Sequence, residues 1–156
     1  MEQYPHLSNA PIVEALIDIR VKLSSDFDMI AFLPLRARLA DKYPQVQEVS
    51  DFQLSTEWKP GTEPRASGQV GGVRSHLLRS HDGRLVVQFR RDGFTFSRLS
   101  PYSSWEEVFS EAWLLWELYV ETAKPLEVSR LAVRYINRLP LPDTLEHIYE
   151  NRASAG

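Results

Sequence analysis

Arg130, Arg134 and Arg138 stand four residues apart in a segment that otherwise alternates polar and apolar side chains. On a strand, residues an even number apart share a face, so the three guanidinium groups would form one row. The planar fork of arginine matches carboxylate and phosphate oxygens. The row is therefore paired within the sheet, free to read an anion, or covered by another domain or subunit. Near the start, Asp18 and Arg20 lie on the polar side of a second alternating segment. If the two segments are neighbours, Arg134 can pair with Asp18 across the sheet, each such pair contributing about 0.2–1 kcal/mol.

A second concentration of charge lies in residues 63–100, where seven arginines face Glu63, Asp82 and Asp92, a balance of 7 − 3 = +4. Residues 101–156 hold nine acids and five bases, or −4, so the two blocks are expected to neutralise each other within the fold. The alternative is a basic strip for nucleic acid built on Arg79, Arg84, Arg90, Arg91 and Arg98. Phe94 and Phe96 beside these arginines resemble the strands of single-strand RNA readers, but the glycine spacing and element order of that motif are missing. Trp105, Trp113 and Trp116 recur at helical spacing and are expected in the core.

Other chemistries find little support. The chain has no cysteine, so disulfides, thiolate nucleophiles and cysteine-based metal sites are excluded. His6, His76, His81 and His147 show no ligand spacing, and no metal is implied. Gly68-Gln69-Val70-Gly71-Gly72 lacks the lysine and hydroxyl of a phosphate loop. Glu14 and Asp18 share a strand face, yet two carboxylates alone are no acid–base site. No catalytic residue and no cofactor emerge.

The elements that would position these groups are legible. Residues 12–23 alternate as a half-buried strand. Residues 28–42 have helical spacing, with Asp26 or Asp28 as cap and Pro34 forcing a kink or a late start. Residues 46–58 read as a strand, and 59–72, with two prolines and four glycines, as a surface loop. Strands 73–80, 84–91 and 93–99 follow, joined at Asp82-Gly83 and Asp92-Gly93. A helix over about 104–122 opens with Ser103–Glu106 or Ser104–Glu107 as a capping box and ends at Pro125. A long strand over about 126–138 closes the order β-α-β-β-β-β-α-β. Its Leu131, Val133 and Tyr135 are expected to face the core. The prediction is a single α+β domain over 1–142, an antiparallel sheet of about six strands with two main helices on one face. A short helix or frayed tail is expected over 143–156.

The blocks Asn9-Ala10-Pro11-Ile12-Val13-Glu14-Ala15 and Arg134-Tyr135-Ile136-Asn137-Arg138, with Tyr43-Pro44 between them, resemble the two signature blocks of a sporadically distributed, uncharacterised prokaryotic family. The resemblance spans most of the chain and corresponds to the N-terminal part of that family. It implies a further C-terminal half in longer members and an association with mobile or defence gene clusters, but assigns no chemistry. The N-terminus lacks a basic start and apolar run, and no apolar stretch nears the roughly 20 residues of a membrane span, so a cytoplasmic location is expected. The leading expectation is a non-enzymatic binding or assembly module. It would engage a protein partner, its own copy or the C-terminal half of a longer member through Arg130, Arg134, Arg138, Asp18 and Arg20. Nucleic-acid binding through the 74–98 meander is second, and an enzyme acting on a small anion is third.

Overall fold

The computed structural model describes residues 11–57 and 65–139, the side chains of 52–57 and 65–70 excepted. Alternation in the sequence becomes one antiparallel sheet. Its strands are β1 (Ile12–Lys22), β2 (Gln45–Glu57), β3 (Arg65–Arg79), β4 (Leu85–Arg90), β5 (Gly93–Leu99) and β6 (Glu127–Asn137), in the order β2-β3-β4-β5-β1-β6. A 3-10 turn (Met29–Phe32) runs into α1 (Leu33–Leu39), and α2 (Trp105–Ala123) precedes β6. This is the α+β arrangement that the element order implies.

Local chemistry explains most boundaries. Asp28 caps the 3-10 turn by accepting from the Ile30 N–H at 3.0 Å. Pro34 sits in the first turn of α1, where its missing N–H costs nothing, so the regular helix starts late rather than kinking. Ser104 caps α2 by accepting from the Glu107 N–H. Lys124, at φ 47°, closes α2 in the left-handed conformation, and Pro125 follows. Gly93 at the start of β5 leaves room for the Ile19 carbonyl, which a Cβ would approach to 2.1 Å.

One expectation needs correcting. The segment predicted as a loop over 59–72 is strand from Arg65 onward, paired with β2 from Ser50↔Val73 to Glu57↔Arg65. Gly71 marks a close approach rather than a turn: a Cβ there would lie 3.0 Å from both Cβ and O of Asp51, beside the β2–β3 register shifts, whereas Gly72 has open space. The expected neutralisation between the basic meander and the acidic helix takes the form of proximity among the described residues, with Arg98 lining one hollow together with Glu107 and Glu111 and no direct ion pair between them. Among the described residues Arg74 pairs with Asp51 and Arg90 with Asp18, while Glu111 of α2 pairs with Lys42. The predicted tail at 143–156 and His6 and His147 lie outside the described residues.

The core occupies the helix side of the central strands. Phe32 stacks on Phe89 and on Tyr119, each at 5.4 Å between ring centroids, and all three are fully buried. The Tyr119 hydroxyl donates to the Arg90 carbonyl at 2.8 Å, and burial, with the charge of Asp92, raises its pKa. Tyr43 is likewise buried, and its hydroxyl donates to Glu111 at 2.6 Å.

Candidate interaction surface

Among the described residues β6 is an edge strand, bonded to β1 alone. The register sets Ile19 opposite Leu131, Ile17 opposite Val133 and Ala15 opposite Tyr135. Those three β6 side chains therefore point to the helix side, as the sequence predicts, but they are not covered. Leu131 is 68% exposed, Val133 47% and Tyr135 40%, although their β1 neighbours are buried. The reason is the placement of α2. Its buried stripe, Val108, Ala112, Leu115 and Tyr119, is spent on the interior, so α2 leaves Leu131 and Val133 exposed and meets β6 through Trp105 at Tyr135.

A groove of about 200 Å³ opens between helix and edge, with Ile17, Ile19 and Phe94 as floor and Phe109, Trp113, Val128 and Leu131 as walls. Trp113 was expected in the core and is instead half exposed. Its ring stacks on Phe109 at 5.9 Å, and its indole N–H donates to Glu117 at 3.0 Å, leaving the outer ring face bare. Trp105 and Trp116 do pack on the core. Tyr102 and Trp105 meet Tyr135 at 5.9 and 6.3 Å. Burial, with a contribution from Tyr135, pushes the Tyr102 hydroxyl up to about 12.

The opposite face of β6 carries the arginines, and the expected Arg134–Asp18 pair is absent. Arg134 lies opposite Leu16, while Asp18 lies opposite Ala132. Asp18 is claimed from its other side: Oδ1 accepts from Arg90 Nη2 at 2.8 Å and Thr95 Oγ1 at 3.0 Å, and Oδ2 accepts from Arg20 Nε at 3.3 Å. Burial pushes the Asp18 pKa up, but the hydrogen bonds from Arg90 and Thr95 and the charges of Arg90 and Arg20 outweigh it, and the net shift is downward. Arg20 also binds Asp92, and Arg90 Nε lies 3.2 Å from Asp92 Oδ1 without hydrogen-bond alignment. Arg130 lies opposite Arg20. The side chains of Arg130, Arg134 and Arg138 are exposed and have no hydrogen-bond or ion-pair partner among the described residues. With Asp18, Arg20, Gln88, Arg90 and Thr95, the first two rim a shallow depression on the open face.

The five meander arginines do not form a strip. Arg90 and Arg79 belong to the open face, Arg79 being paired with Val86. Arg98 lies opposite the buried Ala15, on the helix side. Arg91 is tied to the Phe27 and Ser25 carbonyls at 2.6 and 2.8 Å, and Arg84 stands exposed beside the Asp82 turn at the other end of β4. Phe94 and Phe96 are fully buried and offer no ring to a base.

One polar cluster left no trace in the sequence. His76 is buried, with Nε2 3.1 Å from the Met29 carbonyl and Nδ1 3.3 Å from Arg36 Nη1, and Arg36 in turn binds Glu48. Guanidinium only donates, so Nδ1 accepts and Nε2–H donates to Met29. One ring nitrogen ties β3 to the 3-10 turn at Met29 and the other ties it to α1 at Arg36. Among the described residues no group of three or more His, Cys, Asp or Glu side chains is placed to hold a metal ion.

The two blocks that carry the family resemblance meet in one ladder, from Ile12↔Asn137 through Glu14↔Ile136 to Leu16↔Arg134. Comparison of the chain with protein-family models, with curated proteins and with solved structures finds no match. Among the described residues no helix is long and apolar enough to cross a membrane.

Proposed function

We propose that the chain is a non-enzymatic protein-binding module that docks its partner on the β6 edge and the adjoining α2 wall. The observation that carries this is the exposure of Leu131 at 68% and Trp113 at 50% on either side of one groove, next to a strand edge that no other strand occupies among the described residues. Long apolar edges invite pairing with another chain, and proteins usually blunt or cover them. Contiguous apolar patches of this kind mark interaction sites. The family resemblance is compatible with this assignment, because its two blocks build the ladder behind the edge.

The competing readings find less support. Nucleic-acid binding needs a continuous basic surface, and the five arginines divide between two faces and both ends of the meander. An enzyme acting on a small anion would need a pocket where arginines meet a group able to move protons, and the carboxylate in the depression with Arg130 and Arg134 is Asp18, which is engaged by three donors. A photo-cross-linking residue at Leu131, compared with one at Val46 on the opposite edge, tests the proposal in the cell that makes the protein. A discrete adduct is expected from position 131 and none from 46. Equal labelling from both positions, or none from 131, overturns it.

A further inference from the structure

The β6 edge has two unlike faces, and together they specify a complement. On the helix side stand Val128, Leu131, Val133 and Tyr135, all exposed. On the open side stand Arg130, Arg134 and Arg138, without side-chain partners among the described residues. Strand pairing places side chains of the added strand directly beside those of the edge, on both faces at once.

A second copy of the chain fits this edge badly. Any antiparallel self-pairing of β6 brings two rows of three arginines onto one face. Pairing centred on Ala132 sets Arg130 opposite Arg134, and centred on Arg134 it sets that residue against itself. Centred on Val133, the rows interleave at diagonal distance. Of the acids that β1 carries on this face, Asp18 is already occupied by Arg20 and Arg90, and Glu14, opposite Ile136, makes no ion pair with the row among the described residues. Like charges opposed on a ladder are destabilising, and opposite charges favour it.

Resting on the edge assignment above, we propose that β6 accepts an extended segment of a partner protein as a seventh strand, its side chains alternately acidic and apolar. The acidic row meets Arg130, Arg134 and Arg138, and the apolar row enters the groove against Leu131 and Trp113. Main-chain bonds supply affinity and the two rows supply specificity, as in other strand-addition complexes.

Two dye-labelled peptides of about nine residues, a usual strand length, test this on the whole chain by fluorescence anisotropy. One alternates valine with glutamate and the other valine with lysine. The glutamate peptide is expected to bind at least about tenfold tighter, with the advantage fading as salt rises. It should also slow amide exchange along β6 but not along β2. Reversing the charges with Arg130→Glu and Arg134→Glu, both on exposed side chains, should invert the preference. Equal binding of the two peptides overturns the acidic assignment and leaves the edge assignment standing. Binding of neither, with β6 exchange unchanged, overturns both. A free chain that light scattering shows to be a dimer with β6 already protected overturns the proposal in favour of self-pairing.

Discussion

β4 and β6 have the same alternating pattern, yet Val87 and Phe89 of β4 are fully buried while Leu131 and Val133 of β6 stand in solvent. β4 has a strand on each side and the rings of Phe32 and Tyr119 above it. Among the described residues β6 has one neighbouring strand, and α2 reaches it through Trp105 at Tyr135 but leaves Leu131 and Val133 exposed. The difference teaches that alternation defines which face of a strand is oily, while burial depends on what the rest of the chain brings to that face. A side chain in the first setting holds the fold. One in the second is available for another molecule.

The contrast is open to measurement. Phe89→Ala removes a fully buried ring stacked on two others, and urea unfolding should show a loss of about 3–5 kcal/mol. Asp18→Asn should cost about 1–3 kcal/mol, because it leaves Arg90 and Arg20 without their carboxylate. The sign of its pH dependence follows from a pKa lowered on folding. The ionised form is favoured in the folded state, so this stability is present above the ordinary value of 3.8 and is lost as pH falls through the lower folded value. Wild-type protein should therefore lose stability relative to the Asn variant on the acid side, and parallel acid limbs in a pH series of unfolding curves would refute the assignment.

Ser104→Ala removes the α2 cap and should cost about 1 kcal/mol. Thermal melts of this variant gauge how firmly α2 is seated, since the helix forms one wall of the groove. The smallest effect is expected at the margin. Leu131→Thr should change the stability of the isolated chain by no more than about 0.5 kcal/mol, while abolishing the cross-link or peptide binding assigned to β6. A loss comparable with that of Phe89→Ala would mean that Leu131 belongs to the interior after all.

Much of the architecture was legible because its signals are local. The alternation of Ile17, Ile19 and Val21, the Asp-Gly turns at 82–83 and 92–93, and the capping serine at 104 each act within a few residues. The Gly-Ser run from Arg65 to Gly72 misled because its strand character comes from the β2 ladder, not from its own side chains. Trp113 misled because helical spacing identifies a stripe but not its width, and the buried stripe of α2 passes through Ala112 instead. His76 gave no signal, since Met29, Arg36 and Glu48 are assembled around it from distant segments.

The arginine row shows the division most clearly. That Arg130, Arg134 and Arg138 share a face follows from the two-residue period of a strand, a property of the chain alone. That Asp18 serves Arg90 rather than Arg134 depends on the register of β1 between β5 and β6. That β6 ends the sheet depends on where α2 returns the chain to β1. Periodicity is written in consecutive residues, whereas partners and margins arise only when distant segments compete for the same neighbour.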